Sequence, residues 1–120
     1  MNSGEHLWMV PNGDGPRNHP LLKDLNLPPL GQPGRAAPLV TKSFLFLGEG
    51  SDAGQSMPKF GGGNMFRAYD KKTGKVIWEA DLGAGTTSPP ITYMFKSKQY
   101  IVVGVGGVNH PAELVAMSVE

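Results

Sequence analysis

Two stretches of this chain repeat one another. Gly4-Glu5-His6-Leu7-Trp8 and Gly74-Lys75-Val76-Ile77-Trp78 both read glycine, charged residue, two variable positions, tryptophan, 70 residues apart. Ala68-Tyr69-Asp70 precedes the second copy, which extends its pattern to Ala-x-Asp-x-x-x-Gly-Lys-x-x-Trp. The first copy has almost no chain before it, as though its start were cut. Self-similarity of this kind marks a fold of stacked supersecondary units, each of which needs a neighbour to cover its apolar face. The residue types suit close packing. An indole has a large apolar area and an N–H that needs an acceptor when buried, and Gly and Ala leave room for it against backbone.

The rest of the chain alternates short apolar runs with loops. Gly and Pro number 17 and 11 among 120 residues. They cluster, leaving the apolar runs intact. Gly4–Val10 is one such run and reads as a strand. Pro11–Ala36 reads as loop, because proline withholds ladder donors and glycine favours turns, with at most one helical turn at Leu21–Leu25. Pro38–Gly48 reads as two short strands around Thr41-Lys42, and Glu49–Gly63 as loop. Asn64–Tyr69 alternates apolar and polar positions, the signature of a half-buried strand. Asp70–Gly74 is a turn, since Asp bonds its own backbone ahead and Gly supplies positive φ. Lys75–Leu82 is the returning strand. After a loop at Gly83–Pro90 come Ile91–Phe95, a turn at Lys96–Lys98, Gln99–Val105, a loop at Gly106–Pro111, and a last strand at Glu113–Val119. About eight strands and no helix argue for an all-β sandwich, barrel or propeller.

Several function classes drop out. The net charge of +1 gives no electrostatic footprint for nucleic acid or an acidic membrane. With no cysteine there is neither disulfide nor thiolate metal site. No apolar run approaches the length of a membrane-spanning helix, and the first residues lack the basic and apolar regions of a signal peptide. His6 and His19 have no partner at metal-ligand spacing, so no metal site is expected. Asp14, Glu49 and Asp52 are isolated loop acids without a carboxylate pair. Gly61-Gly62-Gly63 is not followed by Lys-Ser/Thr and a helix, so it is no phosphate loop.

Ala68–Trp78 resembles the tryptophan-docking motif of dehydrogenases that use pyrroloquinoline quinone (PQQ). Thr86-Thr87-Ser88-Pro89-Pro90-Ile91-Thr92-Tyr93, then Lys98–Val103, then Gly106-Gly107, resemble the last blade of membrane-type glucose dehydrogenases and their alcohol-oxidising relatives. Leu39–Lys42, Leu47–Gly50 and Gly4–Gly13 are similar to the same family. The resemblance implies antiparallel four-stranded blades of a β-propeller, about two from an eight-bladed ring left incomplete. Residues 1–10 would then be the outer strand of a preceding blade and 11–36 a Gly/Pro-rich loop on the top face. Residues 37–82 would be one full blade, and 83–120 three strands of the last blade. Trp8, Ala68, Asp70, Gly74 and Trp78 would form the docking motif that ties blades together.

Within that arrangement strand direction alternates. The loops 11–36, 49–63, 83–90 and 106–112 therefore share one face, where binding sites on a rigid scaffold usually sit. The resemblance places the quinone over the axis on that face. Gly106, Gly107, Thr86 and Thr87 are the candidates for cofactor contact, and Asn109 and His110 for the substrate rim. Val108 stands where relatives carry a Trp after the Gly, which argues against the methanol-oxidising subgroup. The catalytic base and the calcium ligands would come from earlier blades, so no catalytic residue is expected here. The implied partners are the remaining blades, a small sugar or alcohol, and a quinone or cytochrome electron acceptor; the implied location is the periplasm. Alternatives are a non-catalytic propeller scaffold and a small β domain that binds a partner through its open edge.

Overall fold

A computed structural model describes residues 3–51 and 62–118. The first four strands are β1 (Leu39–Val40), β2 (Phe44–Gly48), β3 (Met65–Asp70) and β4 (Val76–Asp81), an antiparallel meander in the order β1-β2-β3-β4. The remaining three are β5 (Ile91–Phe95), β6 (Lys98–Gly107) and β7 (His110–Ser118), a second antiparallel meander in the order β5-β6-β7. The expected all-β architecture of one four-stranded and one three-stranded unit is what forms, and the two do not close a ring.

Period-two patterning produces the core. In β3, Phe66 and Ala68 face inward, while Met65 and Arg67 are half-buried on the other face. Phe46, Phe66 and Ala68 of the first sheet meet Ile101, Val103 and Val105 of β6, with Ala84 of the connecting segment between them. The rings of Phe46 and Phe66 stack with centroids 6.3 Å apart. The segment linking the sheets is held to β6 by backbone: Thr86 bridges Val105, and Gly106 N–H donates to the Gly85 carbonyl.

The Asp70–Gly74 turn is built as its residues dictate. Asp70 Oδ1 accepts from the Thr73 and Lys72 backbone N–H groups and from the Thr73 hydroxyl, at 2.8, 3.0 and 2.9 Å. Gly74 takes φ +72°, and a Cβ there would stand 2.6 Å from the Trp8 ring. Trp8 therefore lies directly on glycine backbone, and its Nε1–H donates to the Lys71 carbonyl at 2.9 Å. The bonds from Thr73, side chain first and then backbone, hold the Asp70 carboxyl below its ordinary value of 3.8. A lowered folded pKa contributes stability that is present above the unfolded value and lost as pH falls through the folded one. In a Trp78→Phe background, where Trp8 is the single indole, Trp8 emission should hold steady down to about pH 3.8 and shift to longer wavelength below it. Asp70→Ala should show the shifted emission already at neutral pH; unchanged emission in that variant would break the link between turn and indole.

Four expectations need correction. Gly4–Val10 is not a strand, because no described residue offers it a neighbouring ladder. The first of the two strands expected within Pro38–Gly48 is shorter than the run before Thr41, spanning Leu39–Val40 alone. The loop expected at Gly106–Pro111 is a tight hairpin: β6 runs to Gly107, β7 begins at His110, and Val108-Asn109 form the turn. An irregularity in the ladder between Val105 and Gly107 lets pairing continue past the glycines, and Pro111 is tolerated because β7 is an edge strand. The Pro11–Ala36 segment holds two 3₁₀ turns, Gly15–Asn18 and Lys23–Leu25, the first favoured by Pro16 near its start. The segment 52–61 of the expected Glu49–Gly63 loop, with Asp52 and Gly61, and the end of the last strand at Val119 lie outside the described residues.

Candidate functional site

The loops at one end of both sheets surround a cavity of about 340 Å3. Gly50, Gly62, Gly63 and Asn64 enter from the segment between β2 and β3, and Gly83, Ala84 and Gly85 from the link between the sheets. Gly106 through His110 close it from the β6–β7 hairpin. Glycine dominates the wall, so backbone itself faces the space and a flat molecule can approach it closely. The Pro11–Ala36 segment braces this rim from outside. Asn12 Nδ2 donates to the Gly48 carbonyl at 2.9 Å, Gly62 N–H to the Pro33 carbonyl at 2.8 Å, and Gln32 Nε2 to the Gly62 carbonyl. Ser51 Oγ donates to the Gly106 carbonyl at 3.1 Å, tying the two sheets at the cavity edge.

A buried ion pair sets the position of the wall. Glu49 is 6 % exposed, and its Oε1 accepts from Arg67 Nη1 at 2.7 Å. The Arg67 Nε–H also reaches Glu79 at 3.0 Å. Burial opposes the Arg67 charge, but its bonds to Glu49 and then Glu79 outweigh it and hold the guanidinium above its ordinary value. Glu49 also fills the space a side chain at Gly63 would need: a Cβ there would lie 1.8 Å from Oε2. Nearby, burial raises the Tyr69 phenol, which donates to Asn12 Oδ1 at 3.1 Å.

Of the candidates for cofactor contact and rim, Gly106, Gly107, Asn109 and His110 stand together in this wall. His110 Nε2 is buried there without a hydrogen-bond partner; its ring is about one-third exposed, and Glu113 Oε1 lies 3.6 Å away. Thr86 and Thr87 do not line the cavity. The Thr86 side chain packs against Gly48, where a Cβ would stand 2.3 Å from its Oγ1, and that hydroxyl is buried without a partner. Thr87 N–H donates to the Gly104 carbonyl. Thr86 sits in the seam between the sheets, and Thr87 is exposed beside β6.

The docking residues are brought together in part. Trp8 sits on Gly74 and the Asp70 turn, whereas Trp78 lies opposite Ala68 in the ladder and is 44 % exposed. Glu49, read from sequence as an isolated loop acid, is instead paired. Its partner is 18 residues away, and the signal for it was a lone Arg inside an otherwise apolar alternating strand. Gly62, Gly63 and Gly83–Gly85 entered the sequence reading as loop glycines alone.

The family described as "PQQ: Glucose/ethanol/alcohol dehydrogenase, beta-propeller domain" matches residues 1–101. The chain is 33% identical over 103 residues, 84% of its length, to the glycerol dehydrogenase large subunit of Gluconobacter thailandicus. It is 41% identical over 86 residues, 69% of its length, to the quinoprotein glucose dehydrogenase of Gluconobacter oxydans. Over 108 residues, 89% of its length, it is 31% identical to quinoprotein glucose dehydrogenase A of Acinetobacter calcoaceticus. The chain spans 12%, 9% and 12% of these three relatives, respectively. No solved structure matches the chain. Among the described residues no helix is long and apolar enough to cross a membrane.

Proposed function

Because the chain belongs to the β-propeller family of PQQ-dependent glucose, ethanol and alcohol dehydrogenases, we propose that its two sheets are adjoining blades and its glycine-walled cavity one segment of the quinone site. The observation that carries this is the convergence of loops from both sheets on a single backbone-lined cavity. The fit is to part of a flat polar ring. Glycine leaves the wall open to a planar face, and His110 Nε2, engaged by no hydrogen bond, supplies a polar atom at its margin with the Asn64 and Asn109 amides. No Lys or Arg stands among the described wall residues, so countercharges for the carboxylates of PQQ belong to other blades.

When bound, PQQ supplies a two-electron acceptor for hydride leaving a sugar or alcohol carbon. This chain's residues do the rest of what is proposed for it. Gly106 and Gly107 leave room for the ring, Asn109 and His110 form the substrate rim, and the Glu49–Arg67 pair holds Gly63 in place. Thr86 supports the wall from the seam between the blades, with Thr87 held beside it on β6. Trp8 on Gly74 ties this blade to a preceding one through residues 1–10, the motif of Ala68, Asp70, Gly74 and Trp78 repeating the arrangement one blade on. The general base and the calcium that orients the quinone belong to earlier blades, so the chain by itself is inactive. The parent protein would work in the periplasm and pass electrons to a quinone or cytochrome.

At 12.8 kDa the chain suits amide NMR. Adding PQQ and calcium to labelled protein should move the Gly62, Gly63, Gly83, Gly106 and Gly107 amides more than those of the Asp70–Gly74 turn. Shifts elsewhere, or none, would remove the cavity from the quinone site. With glucose and a dye acceptor no reduction is expected, and turnover would overturn the assignment of the base and metal to other blades.

A further inference from the structure

We propose that the Asn12-Gly13 pair is a deamidation site that the fold holds closed, and that its conversion irreversibly releases the Pro11–Ala36 segment from the cavity. Six asparagines occur in the chain, and this is the one followed by glycine. The other five precede Ser, His, Leu, Met and His. A glycine nitrogen has no side chain beside it to obstruct attack on the preceding amide, and glycine backbone reaches the conformations that ring closure needs.

The reaction consumes only water. The Gly13 nitrogen bonds to Asn12 Cγ, and the side-chain nitrogen departs as ammonia, taking up the Gly13 amide proton. Water then opens the cyclic imide at either carbonyl, leaving aspartate or isoaspartate at position 12. Nothing is oxidised or reduced, and loss of ammonia makes the change one-way.

The folded chain restrains the first step. Asn12 Nδ2 donates to the Gly48 carbonyl at 2.9 Å, and Oδ1 accepts from the Tyr69 hydroxyl at 3.1 Å. Tyr69 is 2% exposed, so that hydroxyl is fixed. The carbonyls of Asn12, Gly13 and Asp14 accept from the Gln32, Gly31 and Leu30 N–H groups at 2.8, 3.0 and 3.0 Å. Asn12 itself is half-buried, within reach of water. Cyclisation therefore waits on a local opening in which the side chain leaves both partners and turns back to Gly13.

Once converted, the segment cannot refasten. A carboxylate accepts hydrogen bonds but donates none, so the Gly48 carbonyl loses its donor and faces negative oxygens. Buried Glu49 adds like charge, since its Oε1 lies 3.0 Å from where a Cβ on Gly13 would stand. Isoaspartate also lengthens the backbone by one carbon, which moves the position-12 carbonyl off the Gln32 N–H. Gln32 Nε2 and the Pro33 carbonyl are what hold Gly62 in the cavity wall, so the wall loses its brace with the segment. The inference does not depend on what the cavity binds.

Peptide mapping by mass spectrometry of protein held at neutral pH should find Asn12 deamidating about twentyfold more slowly than in a synthetic peptide of residues 8–17, the restraint of two ordinary hydrogen bonds. Tyr69→Phe, which deletes one of them and keeps the buried ring, should speed the reaction about fivefold while leaving the other asparagines unchanged. Asn12→Asp should lose hydrogen-exchange protection at the Leu30, Gly31, Gln32 and Gly62 amides. Wild-type protein aged after folding should show the same loss in its deamidated fraction, so the reading stands even where the substituted chain folds poorly. Equal rates in protein and peptide would overturn the proposal. An unchanged rate in Tyr69→Phe would do the same, as would full protection of those four amides in the deamidated fraction.

Discussion

Phe66→Ala should cost about 4 kcal/mol of unfolding free energy, more than half of what a marginal small domain holds. Phe66 has no exposed surface, stacks on Phe46, and meets Trp78 edge to face at 6.4 Å. It lies where the two sheets share their core, so its removal opens a cavity between them. Urea unfolding should show a lower midpoint, with Leu114→Ala, on the exposed edge, within about 0.5 kcal/mol of wild type. A loss below about 1 kcal/mol at Phe66 would mean that the sheets do not share one core.

Glu49→Ala should cost about 3 kcal/mol, the toll of leaving one half of a buried ion pair without its partner. Arg67 keeps Glu79, but that carboxylate is 53 % exposed and contributes little. Gly63→Ala should also destabilise, because its Cβ would stand 1.8 Å from Glu49 Oε2. The two effects are coupled. In the Glu49→Ala background the obstructing carboxylate is gone, so adding Gly63→Ala should cost less than it does in the wild type. Strict additivity in urea melts of the four proteins would sink the idea that Glu49 sets the wall. Both single variants should also weaken the PQQ-induced amide shifts, since Gly62 and Gly63 then lose their fixed position.

Local chemistry was enough for much of this molecule. The alternation around Phe66 and Ala68 gave β3, and the apolar run of Phe44–Leu47 gave β2. Asp70 and Gly74 define a turn by hydrogen bonding and positive φ, and its geometry is as expected. The cavity wall was legible only where it lies on a hairpin. Gly106, Gly107, Asn109 and His110 are near each other in sequence and remain so in space, whereas the Gly62–Asn64 and Gly83–Gly85 walls join them only because two sheets pack side by side. The place of Thr86 was illegible for the same reason: its neighbour, Gly48, is 38 positions away, and no local pattern records that contact.

The 70-residue repeat by itself determined that the chain is built of units that lean on their neighbours, because a glycine without a side chain and an indole without an acceptor each demand a counterpart. Which halves meet was decided by tertiary structure alone. Trp8 finds Gly74 and the Lys71 carbonyl, while Gly4 and Trp78 stay apart within one chain. The pairing of Glu49 with Arg67 was decided in the same way. A periodic pattern specifies which face a residue turns, but the distance between two faces is set only when the sheets close on each other.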